Sequence, residues 1–195
     1  MILAAGPELH WLGMRLFLGI ALADAVVSEL EIVVARLRSN DSGLRWTEPG
    51  TWHITLQFLG YTAPEQYDCL MARLGEVQSA PVPVQLGSLD CFDREGVFFA
   101  DVAATPDLAA LATRVVAATS QCGFAGVMRP FRPHITLARA KGQGRDAELR
   151  ALAGRMRSES SFTPFTAREF LLYESHLGAE GAQHRVRRRF PLIGP

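Results

Sequence analysis

The chain has 195 residues, 48% of them hydrophobic and 21% charged, with a mean hydropathy of +0.09, which is the profile of a globular protein with one substantial core or two small lobes. Extensive disorder is excluded by that apolar content, and a bilayer-spanning helix by the lack of any uninterrupted apolar run near ~20 residues. Twenty basic residues balance twenty acidic ones, so no global field advertises a polyanionic partner.

In chain order, residues 15–22 (Arg-Leu-Phe-Leu-Gly-Ile-Ala-Leu) predict a buried strand. Asp24 is placed to cap a helix to about Ser39, with Val26, Leu30, Val33, Val34 and Leu37 at helical spacing. Asn40-Asp41-Ser42-Gly43 reads as a turn, and after Pro49-Gly50 residues 51–59 alternate as a strand. Thr62 with Glu65, and Pro64 between them, predicts a capping box opening a helix to about Gln78. Strands are expected at about 82–92 and 96–104, then a helix opened by Thr105-Pro106 and closed by Gly123. Pro130 and Pro133 precede a strand from His134 to Ala140, followed by a polar segment and a helix to about Arg157. Final strands fit at about 165–175 and 184–192. Short alternating strands mixed with helices favour antiparallel sheets with helices on one face, α+β over a doubly wound parallel sheet.

The ends and the cysteines carry further expectations. Residues 1–13 read as a loose extension before a fold running from residue 14 to 195. Ala21-Leu22-Ala23 resembles a signal-cleavage site, but no basic region precedes it and Arg15 interrupts the apolar run, so the start of the fold is the favoured reading. Cys69, Cys91 and Cys122 are odd in number, far apart and without a C-x-x-C, so no disulfide framework or zinc knuckle is expected and a reducing cytoplasm is the natural setting. Lys141 is the single lysine; arginine suits phosphate and carboxylate, and codon usage accounts for the bias equally well.

One tetrapeptide occurs twice. His53-Ile54-Thr55-Leu56 recurs as His134-Ile135-Thr136-Leu137, each in a strand whose entry is marked by proline, as if two similar halves each gave one strand to a shared cleft. Alternation along a strand puts His and Thr on one face and Ile and Leu on the other. Two imidazoles and two hydroxyls together suit in-line chemistry at phosphorus. A neutral ring takes a proton from the attacking oxygen, a protonated ring gives one to the leaving oxygen, and the hydroxyls bond the charged non-bridging oxygens. With an ordinary pKa of about 6.5, one charged and one neutral copy can coexist near neutral pH, and no metal is required. His10, His176 and His184 lack the second-position hydroxyl and serve as a control. A two-histidine metal site is the other chemical reading, though neither motif holds a cysteine or carboxylate.

These residues resemble the two-histidine phosphoesterase superfamily, and within it the RNA 2′,3′-cyclic phosphodiesterases, also called 2′-5′ RNA ligases. The matching stretches are residues 14–22, Leu44-Arg45-Trp46, 53–60, 129–139, Leu172-Tyr173-Glu174-Ser175 and Phe190-Pro191-Leu192. The resemblance implies a bilobal fold with an approximate two-fold axis, each lobe an antiparallel sheet flanked by helices, with both motifs in the cleft. It implies opening of a terminal RNA 2′,3′-cyclic phosphate to a 2′-phosphate, His134 as general base, His53 as general acid, Thr55 and Thr136 holding the phosphate, and 2′-5′ ligation in reverse. No cofactor, membrane or obligate protein partner is implied, and a monomer is expected. Phe58 and Arg139 match the family's substrate contacts, each five residues after its histidine. Strict alternation would put both on the core face, where Phe58 is equally at home; burying Arg139 unpaired is too costly, so a bulge or a strand end near Ala138 is expected to return it to the cleft.

Arg132 lies two before His134 and either reaches phosphate or is simply solvated. Trp46 and Trp52 are candidate base-stacking rings, with core packing favoured for Trp52. The run Arg185, Arg187, Arg188, Arg189 either guides an RNA backbone or protects an edge strand, the second favoured. A non-catalytic RNA-end-binding module and an enzyme for a small cyclic nucleotide remain the competing readings.

Overall fold

The computed structural model describes residues 13–38, 43–126, 130–141, 146–155, 162–178 and 181–194. Ten strands and four helices are laid out among them: β1 (Met14–Ala21), α1 (Asp24–Leu37), β2 (Leu44–Trp46), a 3-10 turn (Pro49–Thr51), β3 (His53–Thr62), α2 (Pro64–Gly75), β4 (Val82–Val84), β5 (Leu86–Phe92), β6 (Val97–Val102), α3 (Pro106–Ser120), β7 (His134–Ala140), α4 (Asp146–Arg155), β8 (Phe165–Ala167), β9 (Glu169–Gly178) and β10 (Gly181–Pro191). The expected extension before Gly13, the helix end at Ser39, the turn at 40–42 and the helix end at Arg157 lie outside the described residues.

Two four-stranded antiparallel sheets carry the architecture, one ordered β10-β9-β1-β3 and the other β2-β7-β6-β5, with β4 and β8 as a separate pair. The fold is α+β with two lobes. A strand–helix–strand–helix unit occurs twice, as β1-α1-β3-α2 and β6-α3-β7-α4, and in each the His-x-Thr strand pairs with the strand before the first helix. Each lobe also borrows from the other half of the chain: β2 joins the second sheet beside β7, and the β9–β10 hairpin joins the first beside β1.

Local sequence accounts for most element ends. Thr105 Oγ1 accepts from the Leu108 backbone N–H to cap α3, and Gly123, at φ +84°, closes it. The starts of α1 and α2 differ from expectation. Asp24 is the first helical residue, after an Ala23 that offers no side-chain cap. The start of α2 shifts by one, so that Gln66 Oε1 accepts from the Ala63 N–H and the Thr62 hydroxyl turns back to the Gly60 carbonyl. The single strand expected over 82–92 is two strands in different sheets, since β4 pairs β8 while β5 pairs β6.

The core lies between the sheets and their helices. Ile54 and Leu56 of β3, and Ile135 and Leu137 of β7, are at most 4% exposed; each is worth roughly 1.5–3 kcal/mol of burial and fixes which way its strand faces. The backs of the lobes are tied together. Thr119 Oγ1 of α3 donates to the buried Gln57 Oε1 of β3 at 2.7 Å, and Cys69 of α2 forms a disulfide with Cys122 just after α3. That bond corrects the expectation of free cysteines. The two sulfurs are 53 residues apart in sequence and meet only because α2 and α3 pack side by side. Among the described residues, no helix is long and apolar enough to cross a membrane.

Candidate active site

Both His-x-Thr strands deliver their polar face to one cleft of about 480 Å³ between the sheets, lined by His53, Thr55, His134 and Thr136. Alternation holds through each motif and then breaks at the same place. On β3, Gly19 pairs with Thr55 and Leu18 with Gln57, skipping Leu56; on β7, Phe99 pairs with Thr136 and Phe98 with Ala138, skipping Leu137. The extra residue makes two successive side chains buried, after which Phe58 and Arg139 return to the cleft. Phe58 is 65% exposed and tops an aromatic floor, not the core.

The two histidines are held alike. His53 Nδ1 lies 2.7 Å from the Thr51 carbonyl and His134 Nδ1 lies 2.9 Å from the Arg132 carbonyl. A carbonyl only accepts, so Nδ1–H is the donor in each ring and Nε2 is left for substrate. Each ring rests on aromatics from the neighbouring strands: His53 on Phe17, which stacks on Tyr173, and His134 edge-on to the stacked pair Phe92 and Phe99. Gly19 lets the first arrangement close, because a Cβ there would sit 2.8 Å from the Ile54 carbonyl oxygen and 3.5 Å from His53 Cδ2. Thr47 braces both strands. Its hydroxyl lies 2.8 and 2.9 Å from the Thr136 and Leu137 carbonyls at the β7 bulge, and it accepts from Trp52 Nε1 beside His53.

The electrostatics of the two rings differ. Burial pushes His53 down to about 4, opposed by the Thr51 carbonyl and reinforced by His184, His134 and Arg139. Burial also lowers His134, with Arg139 and Arg132 adding to it, but Asp101, directly across on β6, favours its charged form; opposite His53 the strand carries Ala21. Both rings are therefore disposed to be neutral in the free site, His53 more strongly, in place of the expected mix of one charged and one neutral copy. Neither Thr55 nor Thr136 spends its hydroxyl on a partner among the described residues.

Although the net charge is zero, the cleft is basic. Among the described residues, Arg15, Arg45 and Arg139 line it against the single acid Glu48, and none of the three is ion-paired. Arg45 and Arg139 stand directly opposite each other on β2 and β7, a destabilising placement of like charges unless an anion lies between them. Arg132 is placed differently from the phosphate contact that its position suggested. Its guanidinium pairs with Asp90 at 3.2 Å, stacks over Phe92 and does not line the cleft; its carbonyl serves the site instead, by orienting His134.

Trp46 and Trp52 are both buried, Trp46 edge-on to Phe98 at the border of the cleft, so core packing holds for both. The arginine run lies on β10 at the edge of its sheet, with Arg187 paired to Glu174 and Arg189 to Glu169. His176 reaches Glu174 as well. His184, set aside in the sequence for want of a hydroxyl partner, lines the cleft with its ring 5.1 Å from His53. No local pattern marks it; only the pairing of β10 with β9 brings it there. No group of three His, Cys, Asp or Glu among the described residues could hold a metal ion.

Known proteins resemble this chain. The family model of the 2′-5′ RNA ligase superfamily matches residues 26–179. An RNA 2′,3′-cyclic phosphodiesterase of Archaeoglobus fulgidus is 29% identical over 180 residues, covering 91% of this chain and 99% of that one. One from Bacillus subtilis is 33% identical over 138 residues, 68% of this chain and 73% of its own. The crystal structure of E. coli LigT complexed with 3′-AMP superposes with a TM-score of 0.75 at 23% identity, over 92% of this chain and 98% of that one, and so shares the fold. With most of its length matched and both His-x-Thr strands converging on one basic cleft, the chain belongs to the 2′-5′ RNA ligase superfamily.

Proposed function

We propose that the protein is an RNA 2′,3′-cyclic phosphodiesterase, converting a terminal 2′,3′-cyclic phosphate to a 2′-phosphate without a metal. The observation that carries this reading is the matched pair of imidazoles, each pinned through Nδ1 to a backbone carbonyl and offering Nε2 to the same arginine-lined cleft. Relatives that bear the activity by name support it.

In this mechanism water attacks phosphorus as His134 Nε2 takes its proton, the P–O3′ bond breaks, and His53 Nε2 gives a proton to the departing 3′ oxygen. Thr55 and Thr136 donate to the non-bridging oxygens, whose charge grows in the transition state, and Arg139 balances it. Phe58, exposed at the cleft wall, offers a face to the terminal base. The free site disfavours a charged His53, so the arriving phosphate must recharge it. With a 5′-hydroxyl attacking in place of water, the same groups break the same P–O3′ bond and leave a 2′-5′ linkage.

The substrate is an RNA end, and the fold works as a monomer. A cytoplasmic location goes with the reduced form of the Cys69–Cys122 pair, since disulfides are rare in reducing compartments; thiol counting on protein isolated under alkylation reads that state. The activity is tested by incubating an RNA with a 2′,3′-cyclic end and assigning the product by phosphorus NMR. A 2′-phosphate is expected. Tight binding of 2′-AMP with no turnover of any cyclic end would leave only the binding-module reading.

A further inference from the structure

We propose that the cleft holds a second anion subsite, formed by Arg15, Ser175 and His184 on the first sheet, for a phosphate on the 5′ oxygen of the nucleoside whose cyclic phosphate reacts. The inference rests on the phosphodiesterase reading and extends it from the reacting group to the rest of the substrate.

A cyclic phosphate carries one negative charge, whereas among the described residues three arginines face the cleft against one glutamate. Arg45 and Arg139 sit together on the second sheet, where Arg139 follows the His134 motif and serves the reacting group. Arg15 is on the other sheet, four residues along β1 from the Gly19 that pairs with Thr55, or about 13 Å at the usual rise per residue. Its guanidinium reaches toward β9, where Nη1 lies 3.5 Å from Ser175 Oγ, a long contact to a neutral hydroxyl, and its charge also acts on His184 and on Arg139. His184 is directly across from Ser175 on β10 and lines the same cleft, with its Nδ1 closed off from solvent against the Gln183 backbone.

A cation lining a cleft with only a weak neutral contact, beside an imidazole that borders the same space, is poorly satisfied until an anion joins it. The wall there is Gly178, Gly181 and Ala182, small residues that leave room for a phosphate. In a nucleic-acid strand the next phosphate beyond the cyclic one is attached to the 5′ oxygen of the same nucleoside. That phosphate is either the diester joining the strand or the monoester of a free nucleotide, and both present charged non-bridging oxygens.

The test compares kcat/KM on four substrates: adenosine 2′,3′-cyclic phosphate, its 5′-phosphorylated form, a dinucleotide ending in the cyclic phosphate, and that dinucleotide with a neutral methylphosphonate linkage. Turnover of the bare cyclic nucleotide by the wild type tests the phosphodiesterase reading by itself. For the subsite, a charged 5′ group is expected to raise kcat/KM about 10- to 100-fold, the range of a charge-assisted contact. The methylphosphonate should lose that gain, and so should Arg15→Gln, with the two losses not adding. A gain from the diester alone identifies a strand as the ligand, and a gain from the monoester identifies a nucleotide. Equal rates on charged and neutral linkages, a comparison that needs only the wild-type protein, would overturn the subsite. So would an Arg15→Gln loss as large on the neutral dinucleotide as on the charged one.

Discussion

His53 is predicted to change its protonation when phosphate binds. Burial holds it at about 4 in the free protein, so at pH 7 roughly one ring in a thousand is charged, too few for a general acid. One negative charge about 4 Å from the ring is worth about 4 kcal/mol at an effective dielectric of about 20, or about 3 pKa units, which would return His53 to about 7. An NMR titration of the ring Cε1–H signals, with and without 2′-AMP, reads this directly. Calorimetry in buffers of different ionisation heat should show proton uptake on binding, and affinity should rise as pH falls from 8 toward 5. Stability has the linked sign. The folded value lies below the unfolded 6.5, so the folded protein binds fewer protons; the contribution is complete above about pH 6.5 and is lost as pH falls to about 4, by at most roughly 3 kcal/mol. A free His53 titrating near 6.5 would refute the burial argument. A ligand that left His53 below about 5 while raising His134 would reverse the division of labour between the two rings.

Gly19→Ala should destabilise the protein by about 1–3 kcal/mol in urea melts and lower kcat, because the new Cβ meets the Ile54 backbone beneath His53, which cannot step aside. Thr55→Ala and Thr136→Ala should each cost about 100- to 1,000-fold in kcat with little change in KM, and serine at either position should restore most of it; a loss confined to KM would make the hydroxyls ground-state binders only. Cys122→Ser under oxidising conditions should cost up to about 4 kcal/mol by denaturant unfolding, from the 53-residue loop that the bond closes. An unchanged midpoint would mean that the bond does not form in solution.

Some of this was legible in the sequence because the signals are local. β7 begins at His134 and ends at Ala140 as its proline and glycine punctuation indicates, and Thr105 caps α3 through its own hydroxyl. The repeated tetrapeptide located the cleft, because period-2 alternation with two buried aliphatics fixes the direction of His and Thr regardless of what lies beyond the strand. What was not legible depends on pairing. The alternation of Val82, Val84 and Leu86 runs on unbroken although Gln85, bonded to the Phe162 carbonyl, is where the chain passes from β8's partner to β6's. Three-residue β2 has too little pattern to be seen before its partner β7 is known. The Leu56 bulge came without a local signal, and at β7 only the cost of burying Arg139 gave its counterpart away. His184 and the Cys69–Cys122 bond join residues far apart in the chain, and no window of sequence contains both partners.

The central claim is that His53 and His134 act together on one phosphorus without a metal. Its most direct test is single-turnover conversion of an RNA with a 2′,3′-cyclic end, in EDTA, by the wild type, His53→Ala and His134→Ala. Full wild-type conversion to the 2′-phosphate and none by either variant is predicted; wild-type rates in either variant, or EDTA inhibition reversed by zinc, would contradict it.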